Sequence, residues 1–178
     1  VDHLVWGLTP FVSSSGVDEQ YKPTISLLAE KLRIPIRTRT GESYEDVERM
    51  LLSGEVDIAL MSPYAYVRAK AKAPEIRVFA THIAKGTESY GAYILTRDDS
   101  PIRTLNDLRG KSFGFVDQRS SSGWLFPISR MLDDGIDPLQ EVDGRFYGSH
   151  QRVIEAIVNG EVAAGATYDG ALAEGRGR

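Results

Sequence analysis

The chain has 178 residues, of which 42% are hydrophobic and 26% are charged, and its formal net charge is −4. This composition is ordinary for a globular protein, and the negative charge argues against nucleic acid as the main partner, because phosphate backbones select basic surfaces. The absence of cysteine excludes disulfides, thiolate metal sites and cysteine nucleophiles. No apolar run is long enough for a membrane span, and the first residues, VDHLVWG, do not form a signal peptide. A mature exported protein and a cytosolic protein both fit these features.

The first half of the chain alternates between strand and helix patterns. Short runs rich in β-branched or aromatic residues predict strands at 3–9, 34–40, 56–61 and 76–83. Amphipathic runs predict helices at 23–32 and 44–53, the first with Pro23 in its opening turn and the second ending at Gly54. Ser43 and Asp46 resemble a capping box at the start of the second helix.

The second half repeats this scheme. Strands are predicted at 90–96, 111–117 and 162–168, helices at 123–134 and 150–159, and a short helix capped by Gly110 within 100–110. Strands that alternate with helices predict an α/β fold with mostly parallel sheets flanked by helices. We therefore expect two lobes, 1–85 and 90–178, joined by a hinge near 85–90, where the polar stretch KGTES lies.

Two stretches of the first half recur in the second half at nearly the same offset. WGLTPFVSSSG at 6–16 returns as FGFVDQRSSSG at 113–123, and SYEDVERMLLSGEVDI at 43–58 returns as SHQRVIEAIVNGEVAA at 149–164. Two copies are too few for a solenoid, so the repeats indicate two related lobes. In open α/β sheets ligands bind beyond the carboxyl ends of the strands, and two such lobes would form a cleft.

Ser120, Ser121 and Ser122 lie directly before an apolar helix pattern and form a candidate anion site. The first N–H groups of a helix lack partners, the helix dipole is positive there, and serine hydroxyls add donors. The alternative is a turn that only caps the helix. Ser13–Ser15 are interpreted as a plain loop, because VDEQYK intervenes before the predicted helix. Pro127 is expected to kink the second-lobe helix or to delay its regular part.

Tyr44 and His150 occupy the same place in the repeated stretches, each just after a serine at the start of a predicted helix. A phenol and an imidazole can both donate hydrogen bonds to an oxyanion. The alternative for each is an exposed first residue of a helix. Tyr90 either faces the cleft or packs as a strand aromatic. Asp169 follows a predicted strand, where its carboxylate would favour a cationic group on a ligand.

No metal site and no cofactor are expected from the sequence. His3 and His82 lie in strand patterns, and no two histidines have metal-ligand spacing. Ser121, His150 and Asp169 would form the triad of a serine hydrolase, but the G-x-S-x-G elbow fails because position 119 is Arg, and no P-loop occurs. The chain is therefore not expected to be an enzyme, and a serine hydrolase is the remote alternative.

Three stretches carry a resemblance to a known family: VDIALMSPYAYVRA (56–69), DSPIRTLNDLRGKSFGFVDQRSSSGWLFP (99–127) and YGSH (147–150). They resemble the phosphonate-binding substrate-binding proteins of ABC importers, a family with relatives for phosphite and other small phosphorus oxyanions. The resemblance implies a two-lobed type II periplasmic-binding-protein fold that closes around its ligand. It also implies that the oxyanion is held by Ser120, Ser121, Ser122, Tyr44, Tyr90 and His150. Asp169 lies within a residue of the acidic position that recognises a ligand amine.

The resemblance implies extracytoplasmic binding of a small phosphorus oxyanion for delivery to the permease subunits of an ABC importer. Phosphonate is the first candidate ligand, followed by phosphite and phosphate, and the protein is expected to be a monomer without nucleic acid. A ligand-sensing domain of a signalling protein is the alternative. The chain departs from the family at Ser121, where many members have Thr. It also ends at GRGR, so we expect the first lobe to lack its C-terminal return.

Overall fold

The computed structural model describes residues 2–11, 14–83 and 87–174. It divides the chain into two compact units, unit 1 (Val1–Arg77) and unit 2 (Val78–Arg178). The first residues of the predicted hinge near 85–90, Ser13 and the final GRGR all lie outside the described residues. The hinge therefore stays a proposal. In the described part of the chain no helix is long and apolar enough to cross a membrane.

Unit 1 is a three-stranded parallel sheet with helices. Its strands are β1 (Leu4–Leu8), β2 (Ile36–Thr40) and β3 (Ile58–Leu60), and its helices are α1 (Ser14–Leu32), α2 (Tyr44–Ser53) and α3 (Pro63–Lys72). The strand order is β2-β1-β3. Trp6 of the central strand faces Thr38 and Ile58 across the two parallel ladders. The prediction of a parallel sheet is confirmed for this unit.

Helix α2 begins and ends as its sequence predicts. The Ser43 hydroxyl accepts a hydrogen bond from the Asp46 N–H at 3.1 Å, which satisfies one of the unpaired donors of the first turn. Gly54 ends the helix with a φ of 74°, a left-handed conformation that favours glycine. The carboxylate of Glu48 is buried and binds Lys72 Nζ at 2.6 Å, which ties α2 to α3.

Two expectations for unit 1 are wrong at helix α1. The helix begins at Ser14 rather than at Pro23, so Pro23 lies inside it and Ser14 and Ser15 belong to a helix instead of a loop. The physical reason is an apolar stripe that starts before the proline, since Tyr21, Ile25 and Leu28 share one face and pack with Trp6 and Leu8. Burial of that face outweighs the backbone hydrogen bond that a proline removes.

The predicted strand at 76–83 is also wrong, because this segment has no regular structure. Its alternating apolar side chains have no partner strand among the described residues, and Val78, Phe79 and Ile83 are exposed. A strand pattern becomes a strand only when a neighbour supplies the ladder hydrogen bonds. Helix α3, in contrast, was not predicted, although Ser62 caps it by accepting from the Ala65 N–H.

Unit 2 is a four-stranded mixed sheet with helices. Its strands are β4 (Ala92–Thr96), β5 (Ser112–Phe115), β6 (Asp143–Phe146) and β7 (Ala164–Tyr168), and its α-helices are α4 (Phe126–Asp133), α5 (His150–Val158) and α6 (Asp169–Glu174). A 3₁₀ helix (Leu105–Leu108) precedes β5 and a π turn (Ser121–Leu125) precedes α4. The strand order is β4-β7-β5-β6, with only β4 antiparallel to its neighbour. Strand β6 was not predicted, because it is an exposed edge strand without an apolar face.

The core and the strand order of unit 2 place several polar residues at one edge of its sheet. Its fully buried side chains lie around β5 and include Leu108, Phe113, Phe115, Met131 and Ile136. Strands β5 and β7 are parallel neighbours, so their carboxyl ends lie at the same edge of the sheet. The serine-rich turn follows β5 and Asp169 follows β7. The topology therefore brings these residues to one edge, as expected for ligand sites of α/β sheets.

Candidate anion site

The three serines that follow β5 form the first turn of a helix. Ser120 N–H donates to the Asp117 carbonyl at 2.9 Å, and the Ser120 hydroxyl accepts from the Gly123 N–H at 2.9 Å. Ser120 is thus the cap of the helix, and all three serines are at least 97% buried. The turn is therefore a buried helix start, which is a place where hydroxyl and N–H donors lie close together.

This first turn is a π turn. The Leu125 N–H donates to the Ser120 carbonyl at 3.1 Å, and the Phe126 N–H donates to the Ser121 carbonyl. The regular helix α4 begins only at Phe126, with Pro127 in its first turn, which agrees with the predicted delay. A π turn bonds each N–H five residues back instead of four, so one more N–H at the helix start is left without a partner inside the helix.

Gly123 is the residue that allows this turn to lie against the sheet. A Cβ at this position would lie 2.4 Å from the Cβ of Val116 and 2.9 Å from the Ser120 hydroxyl oxygen. The Gly123 carbonyl also accepts from the Val116 N–H at 3.1 Å. The glycine of the repeated Ser-Ser-Ser-Gly phrase is therefore required for steric reasons at the second copy.

Tyr90 lies beside the serines. The hydroxyls of Ser121 and Ser122 are near enough to its phenol to influence the phenol's pKa through hydrogen bonding. Burial raises the pKa of the Tyr90 phenol above its usual value, the two serines partly offset that rise, and the negative charge of Asp169 adds to it. The phenol is therefore neutral at physiological pH and is able to donate a hydrogen bond. The backbone of Asp169 also lies close to the residue that follows Tyr90, since the Asp169 N–H donates to the Gly91 carbonyl.

His150 is the first residue of α5 and is 2% exposed. Its Nδ1 lies 3.1 Å from the hydroxyl oxygen of Thr167, which is fully buried. Burial lowers the pKa of His150 to about 3, so the imidazole is neutral at physiological pH. A neutral imidazole has one donor nitrogen and one acceptor nitrogen, so it offers a single N–H to a ligand.

Tyr168 joins the two parts of this site. Its ring makes edge-to-face contacts with His150, at a centroid distance of 4.7 Å, and with Tyr90, at 5.9 Å. Thr167 and Tyr168 lie in the strand predicted at 162–168, and the sequence pattern assigns neither of them a role. The available signal was their position at the end of β7, immediately before Asp169, where strand residues meet the ligand edge of the sheet.

Tyr44 belongs to unit 1, where it is the first residue of α2 and 1% exposed. Its ring makes an edge-to-face contact with Phe11 at 5.5 Å. The repeat correctly paired Tyr44 with His150, because each begins a helix after a capping serine. The alternative of an exposed first helix residue is wrong for both, since both side chains are buried. Tyr44 as a ligand residue stays a prediction.

The hydrogen bond that His150 Nδ1 makes in unit 2 does not fit the hydrolase alternative. A catalytic imidazole needs a carboxylate on the nitrogen that faces away from the serine. In the described residues His150 Nδ1 instead bonds to the Thr167 hydroxyl. The same part of the chain has no group of three or more His, Asp or Glu side chains that could hold a metal ion.

Comparison with known proteins identifies the family of the chain. The family described as the periplasmic phosphonate substrate-binding protein of ABC transporters matches residues 6–176. The chain belongs to this family. The match confirms the resemblance seen in the sequence.

The relatives of this chain include an import protein and a sensor kinase. The phosphate-import protein PhnD of Mycolicibacterium smegmatis is 29% identical over 90% of the chain and 53% of its own length. The tetrathionate sensor histidine kinase TtrS of Salmonella typhimurium is 33% identical over 80% of the chain and 25% of its own length. The chain therefore spans about half or less of these curated relatives.

The fold is shared with solved binding proteins. PhnD1 of Prochlorococcus marinus, solved in complex with methylphosphonate, is 18% identical with a TM-score of 0.89, over 99% of this chain and 67% of that one. The expected type II periplasmic-binding-protein fold is confirmed by such structures, with mostly parallel sheets flanked by helices in both units.

Proposed function

We propose that this protein binds a small phosphorus oxyanion, a phosphonate first and phosphite or phosphate next, for delivery to an ABC importer. The observation that carries the proposal is the buried Ser120–Ser122 turn at a helix start, with the Tyr90 side chain beside it. Membership of the phosphonate-binding family supports the same ligand class. The proposed ligand residues are Ser120, Ser121, Ser122, Tyr90, His150, Asp169 and Tyr44.

The chemistry of these donors suits an oxyanion. Serine hydroxyls, a neutral phenol, a neutral imidazole and helical N–H groups all donate hydrogen bonds to oxygen. Each hydrogen bond to a charged group contributes roughly 1.5–3 kcal/mol. Five or six of them are enough for micromolar or tighter binding after the costs of ordering are subtracted.

Asp169 is proposed to distinguish between ligands of this class. Its carboxylate acts on Tyr90 electrostatically, so a ligand held near Tyr90 senses a negative charge. An aminoalkylphosphonate carries an ammonium group that would pair with this charge, whereas methylphosphonate has no such group. Replacement of Asp169 by Asn is expected to weaken aminoethylphosphonate binding more than methylphosphonate binding.

The remaining parts of the proposal concern the protein's setting. We propose that it works outside the cytoplasm, as a monomer, with the importer's permease subunits as protein partners and without nucleic acid. We also propose that it performs no chemistry on its ligand. The Thr167 hydroxyl, rather than a carboxylate, bonds to His150 Nδ1, which supports this proposal. A ligand recovered unchanged after long incubation is the expected result.

A thermal-shift panel tests the binding proposal. Phosphate, phosphite, sulfate, methylphosphonate and aminoethylphosphonate are compared on the full-length protein. A ligand at 100 times its dissociation constant stabilises the fold by about 2.7 kcal/mol, which is visible as a raised melting temperature. A selective shift with a phosphorus oxyanion is expected and should vanish in Ser121→Ala. The absence of any shift in folded protein would reduce the serine turn to a helix cap.

A sensory domain is the second candidate, because a sensor histidine kinase is among the relatives. The same binding site would serve both roles, so the two differ in what the bound form contacts. Stimulated ATP hydrolysis by a reconstituted permease in the presence of ligand-bound protein supports transport. Ligand-dependent autophosphorylation of a kinase domain on the same chain supports sensing.

A further inference from the structure

His150 and Thr167 form an isolated buried pair. The Thr167 hydroxyl is fully buried, His150 is 2% exposed, and the two are joined at 3.1 Å. Within residues 2–11, 14–83 and 87–174, the Thr167 hydroxyl has no hydrogen-bond partner other than His150 Nδ1. The imidazole is packed against the Tyr168 ring and is neutral, so it exists as one of two tautomers.

The two tautomers differ in how they satisfy the threonine. If Nδ1 carried the proton, it would donate to the Thr167 oxygen, and the buried hydroxyl hydrogen would have no acceptor. If Nε2 carries the proton, the hydroxyl donates to Nδ1 and both atoms of this contact are satisfied, while the Nε2–H remains for a ligand or water. An unsatisfied buried donor is costly, whereas a paired one is not. The hydrogen-bond inventory of this pair therefore selects the Nε2–H tautomer.

We propose that Thr167 is a positioning residue that holds His150 in the Nε2–H tautomer, so that the imidazole acts as a hydrogen-bond donor in the anion site. The inference rests on the proposed function in assigning His150 to the ligand. The other tautomer would present an acceptor lone pair at Nε2, which repels an oxyanion. A single hydroxyl on β7 thus fixes the polarity of a side chain on α5.

The tautomer is measured directly by NMR, without a ligand. Full-length protein labelled with ¹⁵N is examined through the two-bond couplings of the imidazole rings, which distinguish a protonated ring nitrogen from an unprotonated one. The sequence has three histidines, so His150→Gln identifies the signals of His150. The expected result is a protonated Nε2 and an unprotonated Nδ1. A protonated Nδ1 in the unsubstituted protein would overturn the proposal whether or not any ligand binds.

The functional consequence is measured with methylphosphonate as the probe. Thr167→Val keeps the shape of the side chain and removes its hydroxyl, so the imidazole should become a mixture of tautomers and affinity should fall about tenfold. Thr167→Ser retains a hydroxyl and should restore most of that affinity and the Nε2–H signature. An unchanged affinity and an unchanged ring spectrum in Thr167→Val would remove the positioning role.

A matched control comes from the neighbouring strand. Thr96 on β4 also has a hydroxyl bonded within the sheet, to the Ala163 carbonyl at 2.8 Å. Thr96→Val should leave the His150 ring signals and the methylphosphonate affinity unchanged. If the unsubstituted protein binds neither methylphosphonate nor inorganic phosphate, the proposed function fails, while the ring spectrum of the free protein still decides the tautomer. If Thr167→Val does not fold, the spectrum of unsubstituted protein and the Thr167→Ser affinity decide.

Discussion

The buried imidazole of His150 makes the stability of unit 2 depend on pH. Its pKa is about 3 in the folded protein, against an ordinary value of 6.5. Between these values the unfolded chain binds a proton that the folded chain does not, so the free energy of unfolding falls as the pH drops. The contribution is complete above pH 6.5. At about 1.4 kcal/mol per pH unit, we expect a loss of roughly 2–3 kcal/mol between pH 6 and pH 4.

Urea unfolding followed by Trp124 fluorescence at several pH values measures this loss. Acidic side chains also change charge in this range, so His150→Gln is the reference, because it retains every carboxylate. The unsubstituted protein should lose stability more steeply than the variant between pH 6 and pH 4. Equal slopes in the two proteins would mean that the folded and unfolded chains bind the His150 proton equally, so that burial does not lower its pKa.

Glu48 gives a second prediction at the scale of one residue. Its carboxylate is 2% exposed and paired with Lys72 of α3, with Arg68 Nε at 3.7 Å. Loss of one partner of a buried pair is destabilising, because the remaining polar groups keep their desolvation cost. Lys72 is half exposed and recovers water, so Glu48→Gln should cost about 1–3 kcal/mol rather than more. Urea unfolding followed by Trp6 fluorescence measures this loss in the free energy of unfolding.

The matched control for Glu48 is Glu55, which pairs with Arg39 and Arg49 on the surface. Solvent screens such pairs, so Glu55→Gln should change the unfolding midpoint much less than Glu48→Gln. A larger effect at Glu55 would show that the surface pairs, rather than the buried one, hold α2 in place.

At the scale of elements, the π turn depends on the missing side chain of Gly123. The added methyl of Gly123→Ala would overlap Val116 and crowd the Ser120 hydroxyl. Overpacking of this kind costs about 1–3 kcal/mol, and here it must also displace the serines. We expect reduced stability together with loss of oxyanion binding, measured by thermal unfolding and by calorimetric titration of methylphosphonate.

Gly135 supplies the control for this substitution. It has a φ of 75° and open space around its Cβ position, so Gly135→Ala strains the backbone without touching the serine turn. This variant should lose stability but keep its ligand affinity. Retained affinity in Gly123→Ala would show that the serines tolerate a shifted turn.

An element is predictable from the sequence when the residues that stabilise it lie within the element or next to it. Helices α2 and α5 were predicted to within a residue, because their caps and apolar stripes lie in the sequence itself. The start of α1 was missed because its stripe begins with Tyr21, ahead of a proline that normally marks a helix start. The segment 76–83 has the pattern of a strand, but strand formation requires a partner that no local pattern contains.

Across the molecule, the residues of the candidate site also fall into two groups. Local patterns predict the place of some, and contacts between distant parts of the sequence decide the role of the others. The places of the serine turn and Asp169 were predictable, because each follows a recognisable strand at the ligand edge of a sheet, whereas the pattern around Tyr90 left two readings open and only the family resemblance assigned it. The roles of Thr167 and Tyr168 depend on contacts with α5 and with Tyr90, which are distant in sequence. In a strand pattern these two residues are indistinguishable from ordinary strand residues.

The protein has two tryptophans, one in each unit. Trp6 lies in the core of unit 1, and Trp124 lies in the π turn of unit 2. Fluorescence of Trp6→Phe therefore reports the unfolding of unit 2, and fluorescence of Trp124→Phe reports that of unit 1. Methylphosphonate at 100 times its dissociation constant should raise the free energy of unfolding seen by Trp124 by about 2.7 kcal/mol.

The signal of Trp6 in the same titration decides the role of Tyr44. If Tyr44 binds the ligand, as the repeat predicts, the unfolding transition seen by Trp6 should also move to higher urea. Tyr44→Phe keeps the ring beside Phe11 and removes only the hydroxyl, so it should reduce that movement without unfolding unit 1. A ligand effect seen by Trp124 alone, and unchanged in Tyr44→Phe, would remove Tyr44 from the ligand residues and leave unit 2 as the binding unit, because linkage stabilises only what the ligand contacts or what unfolds together with it.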